Sequence, residues 1–318
     1  MTHAPEQNSS EVCILMAVYN GAPTLPEQLD SFVAQSHNEW HVVASDDGSQ
    51  DASKDILNAF RTTHGAHRMT VIDGPGRGAA QNFLHLLRHI ANQPDVPRWI
   101  AFSDQDDVWL PDKIARAINA LEKQPPQRPA LYCARTWITC DQLSKRRISP
   151  PRPQAPDFRN ALVQNIAAGN TIVLGPAAVD LVLRAVRKVK DVVVHDWWLY
   201  QLITGAGGYV IHDDMPCLLY RQHAGNEIGV NDTIRARIYR LFRLLRGDFR
   251  SWNRTNIAAL RATATLIDPA ERARLDGFAQ LSSLPLRKRL SLLRDLQLYR
   301  QTTGGTLTLW FAVVFRLV

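Results

Sequence analysis

The sequence predicts an α/β fold, a mostly parallel sheet flanked by helices, followed by a basic helical extension. Three observations carry this. Short apolar runs alternate with stretches of helical spacing in the first part of the 318-residue chain, and alternating strands and helices argue for a parallel sheet. Acidic and glycine residues follow the run ends, where an open α/β sheet binds its ligands. The net charge of +7 is also uneven: residues 231–318 hold 16 Lys and Arg against 6 Asp and Glu, whereas residues 1–230 carry a net −3. The expected regions are a catalytic body over 1–230 and a basic helical region over 231–318.

Taken in order, residues 12–20 form an apolar run that ends in the turn pair Asn20-Gly21 and reads as a buried strand. Residues 24–35 have helical spacing. Residues 40–46 read as a strand, then a turn at Asp47-Gly48-Ser49, then a helix to about Arg61. Residues 69–72 are a third strand, followed by Gly74-Pro75-Gly76-Arg77-Gly78 and a helix to about Ile90. Residues 99–103 are a fourth strand running into Asp104-Gln105-Asp106-Asp107, and Pro111 starts the next helix. Beyond this, 131–139 and 170–174 read as single strands and the proline-rich 149–156 as a loop. A helix starts at His195, and 209–211 and 218–222 are strands. From Thr233 the pattern is helical nearly to the end.

Composition excludes several classes. Hydrophobic residues make up 45% and charged residues 21%, ordinary values for a folded chain long enough to bury its own core. Cys13, Cys133, Cys140 and Cys217 form no CxxC pair and mostly sit in apolar runs, which points to reduced thiols rather than a disulfide frame or a zinc site. Residues 1–10 lack an apolar core of the secretory type, and no run reaches the ~18 apolar residues that span a bilayer. A cytoplasmic location is expected. GxGxxG and GxxxxGK[ST] are both missing, which removes a Rossmann dinucleotide site and a P-loop.

The chemistry-bearing residues sit at the strand ends, each with two readings. Asp104 and Asp106 lie two apart, so in extended backbone they point the same way. Such a pair is either a solvated acidic turn or a site for Mg²⁺ or Mn²⁺, which accept one or two carboxylates plus substrate phosphates. Asp46 and Asp47 either accept from a nucleotide base or ribose, or form an Asx turn before the next helix. Arg77, in its glycine loop, is a positive partner for phosphate. Asp196 either caps a helix or serves as a general base. His223 is either structural or a metal ligand.

These residues, in this order, resemble the family 2 glycosyltransferases, and within them the rhamnosyltransferase-like branch. The resemblance runs from about Val12 to Gly229. It rests on Ala17-Val18-Tyr19-Asn20-Gly21, Gln28-Leu29-Asp30-Ser31, Asp46-Asp47-Gly48-Ser49, Ser103-Asp104-Gln105-Asp106-Asp107-Val108-Trp109, Gly169-Asn170-Thr171, His195-Asp196-Trp197-Trp198 and Tyr220-Arg221-Gln222-His223. It implies a GT-A fold, Rossmann-like, and a nucleotide-diphosphate sugar donor. Tyr19 would lie against the base, with Asp47 on its edge and Arg77 near the nucleotide. Asp104 and Asp106 would form the DxD motif, Asp104 touching donor and metal and Asp106 the metal, with His223 completing the metal site. Asp196 would be the catalytic base of an inverting displacement, and His195 stands where the family has Glu. The motifs resemble enzymes that use dTDP-L-rhamnose to build O-antigen, capsule or other surface glycans on lipid-linked saccharide acceptors. A nucleotide-sugar hydrolase and a non-catalytic nucleotide-sugar-binding scaffold are the alternatives.

In the basic region, Ile234, Ile238, Leu241, Phe242, Leu245 and Phe249 recur at helical spacing among arginines, and residues 307–318 are nearly all apolar. Both features suit peripheral association with the anionic inner face of the cell membrane. The other reading is packing on the catalytic body. Few aromatics interleave with the arginines, which argues against nucleic acid.

Overall fold

The computed structural model describes residues 10–222 and 248–318. Its elements are β1 (Val12–Val18), α1 (Leu25–Val33), β2 (Trp40–Asp46), α2 (Ser53–His64), β3 (Met69–Asp73), α3 (Ala79–Ala91), β4 (Trp99–Ser103), β5 (Val108–Trp109), α4 (Lys113–Glu122), β6 (Ala130–Ala134), β7 (Trp137–Thr139), β8 (Arg147–Ile148), α5 (Phe158–Ala161), β9 (Val173–Leu174), α6 (Pro176–Val186), α7 (His195–Gly205), β10 (Tyr209–Asp213) and β11 (Leu218–Arg221). The C-terminal helices are α8 (Asp248–Ala262), α9 (Pro269–Gln280), α10 (Leu286–Leu296) and α11 (Thr303–Val314).

The strand order of the main sheet is β10-β6-β9-β4-β1-β2-β3. β1, β2, β3 and β4 are parallel neighbours, as are β6 and β10. β9 alone runs against its neighbours β4 and β6. This reversal matters for the site, because it brings the approach to β9 to the same edge as the carboxyl end of β4. A second sheet, β5-β11-β7-β8, stands beside the first.

Local sequence explains most boundaries. β1 and β4 are buried along nearly their whole length, and therefore read as continuous apolar runs. Proline opens α1 and α6, where the missing N–H costs nothing. Two expectations are corrected. The run at 131–139 is two strands in two sheets: the chain leaves the main sheet at Arg135, whose N–H donates to the Asp213 carbonyl (3.0 Å), and at Thr136, whose N–H donates to Ser149 Oγ (3.0 Å). Residues 169–171 form a turn of 3₁₀-helix, and only Val173–Leu174 pairs as a strand. α6 was not anticipated, although it buries Ala178, Val179, Leu181, Val182, Leu183, Ala185 and Val186. All four cysteines are free, and burial pushes the thiols of Cys13, Cys133 and Cys217 up to about 12.

The C-terminal helices share an apolar core with the sheet. Leu260, Leu275, Phe278, Leu293, Leu309 and Val313 belong to the same buried cluster as Leu15, Phe83, Phe102 and Leu199. The buried guanidinium of Arg289 on α10 donates to the carbonyls of Val313 (2.9 Å) and Val314 (3.0 Å), groups left open at the end of α11. A Leu260→Ala substitution should therefore cost about 2–5 kcal/mol and lower the midpoint of a single unfolding transition. A separate early transition for the helices alone would contradict a shared core.

Candidate active site

Three loops at the carboxyl edge are locked together by side chains that hold backbone. Gln105 receives the Tyr19 N–H (2.7 Å) on its carbonyl oxygen and returns its amide to the Tyr19 carbonyl (2.9 Å). A Cβ on Gly21 would fall 2.6 Å from that side chain, so a larger residue there would displace the amide that holds Tyr19. The middle residue of Asp104-Gln105-Asp106 thus fixes the acidic turn onto the end of β1. Ser49, Asp51 and Ser53, from the loop after β2 and the start of α2, accept from the backbone N–H groups of Asn20, Ala22 and Gly21.

Asp46 takes the turn reading. Its Oδ1 accepts from the N–H groups of Gly48 (3.0 Å) and Ser49 (2.8 Å), an Asx turn. Asp47 does something the sequence did not suggest. Its two oxygens accept from Gly76 N–H and Gly78 N–H, each at 2.7 Å, so it moulds the glycine loop that carries the exposed Arg77. Tyr19 is exposed at the end of β1.

Asp104 and Asp106 follow β4 and are half-buried. Behind them lies Asp107, fully buried. Burial, then the charges of Asp106 and Asp104, push its carboxyl well above the usual range. The buried Lys113 ammonium sits 3.2 Å over the Trp109 ring, and burial pulls it down to about 8 against the opposing pull of Cys217 and Asp107. Among the described residues no three His, Cys, Asp or Glu side chains gather into a metal-holding group. His223, expected to complete such a site, lies outside the described residues.

Asp196 lies in the first turn of α7 but is not its cap, a position held by Val194. Asp196 Oδ1 accepts from Trp197 N–H (2.6 Å) and Oδ2 from Gly169 N–H (3.0 Å). Burial raises its pKa to about 6 despite these donors and that of Asn165. His195 is buried and stacked on Phe83 at 3.8 Å, and burial lowers it to about 3, so it is neutral. A Cβ on Gly169 would lie 2.7 Å from His195 Nε2 and 3.3 Å from Asp196 Cβ. The residue in the position of the family's Glu therefore acts as a neutral wall behind the Gly169 turn.

The next residue closes the circuit. Asn170 Nδ2 donates to Asp107 Oδ2 at 2.5 Å. The acidic turn after β4 and the carboxylate on α7 are thus joined through Asn170 and Gly169. Sequence reading gave no role to Asp107, Gln105, Gly169 or Asn170. The quoted run Gly169-Asn170-Thr171 was the available signal.

Known proteins place this architecture. The family described as "Glycosyl transferase family 2" matches residues 13–170. The chain is 27% identical over 234 residues to the dTDP-rhamnosyl transferase RfbG of Shigella flexneri, covering 71% of this chain and 78% of that protein. It is 25% identical over 213 residues to the putative glycosyltransferase EpsE of Bacillus subtilis (strain 168), covering 64% and 70%. Among solved structures, residues 1–349 of S. aureus TarS, crystallised with UDP-GlcNAc, align with a TM-score of 0.55 at 14% identity, covering 90% of this chain and 80% of that one. That similarity speaks to the fold, which is of the GT-A type. With the motif order, the matched domain and these relatives in agreement, the chain belongs to the family 2 glycosyltransferases.

Proposed function

We propose that the chain is an inverting, metal-dependent transferase that moves L-rhamnose from dTDP-L-rhamnose to a hydroxyl of a glycan or lipid-linked saccharide in bacterial surface polysaccharide biosynthesis. The observation that supports it most is Asp196, a carboxylate with a pKa of about 6 at the sheet edge that also carries Asp104 and Asp106. A base poised near neutrality is suited to taking a hydroxyl proton. The 27% identity to RfbG, named for dTDP-rhamnose, supports the donor sugar.

The donor set fits a divalent cation. Asp104 and Asp106 offer hard oxygen ligands, and their charges already press on Asp107. One or two carboxylates plus substrate phosphates is the usual Mg²⁺ arrangement. Asp104, Asp106 and His223 would hold Mg²⁺ or Mn²⁺, and the bound ion would offset charge on the departing diphosphate. Asp196 Oδ accepts the acceptor proton as the acceptor oxygen bonds to the anomeric carbon. The bond from that carbon to the diphosphate oxygen breaks, and the electron pair leaves with the diphosphate. Tyr19 packs on the base, and Arg77 reaches the phosphates from the loop that Asp47 shapes. The lone pair left on each Asp47 oxygen is available to a base N–H.

The membrane surface enters as the place where a lipid-linked acceptor is held. Leu307, Phe311 and Phe315 form an exposed stripe on and just beyond α11, near exposed Leu286, Arg287, Lys288 and Arg316. Exposed apolar side chains together with exposed cations on the same helices suit an anionic lipid surface. Among the described residues no helix is long and apolar enough to cross a membrane. We propose peripheral binding at the cytoplasmic face. The basic stretch at 234–247 lies outside the described residues.

Three outcomes are expected. Asp196→Asn should lose about 10²–10⁴-fold in kcat with donor affinity kept; turnover like the parent removes Asp196 from the base role. Because the carboxylate must be ionised, kcat should fall about tenfold per pH unit below pH 6 and be flat just above it; a limb near pH 4 contradicts the raised proton affinity. In thermal shifts, dTDP-L-rhamnose with Mn²⁺ should stabilise more than UDP-glucose with Mn²⁺, and EDTA should remove the effect. A larger shift with UDP-glucose contradicts the assigned sugar, and sugar release as fast without acceptor as with it favours hydrolysis.

A further inference from the structure

We infer that Asp107 is a positioning residue: through Asn170 it sets the Gly169 turn, and so places the Asp196 carboxylate relative to Asp104 and Asp106. This rests on Asp196 as the base.

Asp107 cannot act by contact. It has no exposed surface, while Asp104 and Asp106 on the same turn are half-exposed. Its Oδ2 accepts from Asn170 Nδ2 at 2.5 Å and its carboxyl also takes the backbone N–H of Arg221, while Asn170 Oδ1 is buried with no hydrogen-bond partner. Burying polar atoms in this state is costly, and an apolar contact would hold the two loops more cheaply. A hydrogen bond supplies what an apolar contact lacks, a fixed distance and direction.

The bond sits where the sheet stops. β4 and β9 pair at Ile100 with Leu174 and at Ala101 with Val173, and Phe102 N–H reaches the Ile172 carbonyl at 3.2 Å. Past Ser103 the chain turns away, and Asp107–Asn170 is the next tie between the two segments. The turn it holds is stiff: Thr171 N–H donates to Ala168 (2.9 Å) and Ile172 N–H to Gly169 (3.0 Å), and Thr171 Oγ1 donates to Ala168 at 2.7 Å. A shift at Asn170 therefore carries Gly169 with it. On its other side Gly169 donates to Asp196 Oδ2 and abuts His195, so there is no slack to absorb the movement. The turn is a spacer clamped between the acidic loop and the base. Misplacement of about 1 Å at a reacting centre costs on the order of 10²-fold in rate.

The test is a swap. Asn170→Asp replaces the amide donor with a second carboxyl, so the N–H···O tie to Asp107 is lost. Adding Asp107→Asn restores one donor and one acceptor with their positions exchanged and returns the net charge of the parent. We expect Asn170→Asp to lose about 10–100-fold in kcat with donor KM changed less than about threefold. Its acid limb should move above pH 6, because a displaced Gly169 N–H no longer favours the ionised Asp196. His195, neutral and buried, is the titratable neighbour and stays so. The double variant should recover kcat to within about threefold of the parent and return the limb to its place. Parent-like kcat in folded Asn170→Asp overturns the proposal, and so does a folded double variant that recovers nothing. Should Asn170→Asp fail to fold, Asn170→Ala removes the tie without adding a carboxyl, and the same loss and limb shift are required of it. Parent-like turnover in Asp196→Asn would instead strike the base assignment, which separates the two failures.

Discussion

Peptide N–H groups hold three carboxylates, those of Asp46, Asp47 and Asp196, at one edge of this sheet, and the rest of the site depends on that. Asp46 is held by Gly48 and Ser49, Asp47 by Gly76 and Gly78, and Asp196 by Gly169 and Trp197. A peptide dipole fixes a carboxylate in place without cancelling its charge as an arginine would. The result is a set of carboxylates with defined positions, next to which burial, and then the charges of Asp106 and Asp104, keep Asp107 from ionising. We propose that this edge receives a small divalent cation and the diphosphate it accompanies.

The fold serves this arrangement through topology. Parallel strands β1, β2, β3 and β4 bring their carboxyl ends to one edge. The antiparallel β9 brings its entry to the same edge and with it Gly169 and Asn170. Two segments separated by 63 residues thereby meet in the Asp107–Asn170 bond. The C-terminal helices pack on the same apolar core, and Arg289 ties α10 to the end of α11, whose outer face stays exposed.

β1, β2 and β4 were legible because each is a buried run closed by polar residues, and the half-buried β3 because its short apolar stretch ends in the glycine loop. Residues 131–139 were not: apolar character continues across Arg135 and Thr136 although the chain changes sheet there, and burial periodicity does not record which sheet a residue joins. The site was legible as residue types at strand ends, not as contacts. Asp46 and Asp47 are neighbours of identical chemistry, yet one closes a local turn and the other holds a loop 29 residues away. Only backbone direction separates them. Asp107 looked like a third member of an acidic turn, because nothing local reveals that its side chain faces inward.

We propose that Asp104, Asp106 and Asp196 line one cleft around a metal-bound diphosphate. The most direct measurement is a crystal structure with Mn²⁺ and dTDP, the metal located by its anomalous scattering. The manganese peak should lie within coordination distance of Asp104 or Asp106 carboxylate oxygens, with Asp196 facing the same cleft beyond the β-phosphate. A manganese peak bound elsewhere, or a diphosphate outside the cleft these three carboxylates line, would contradict it.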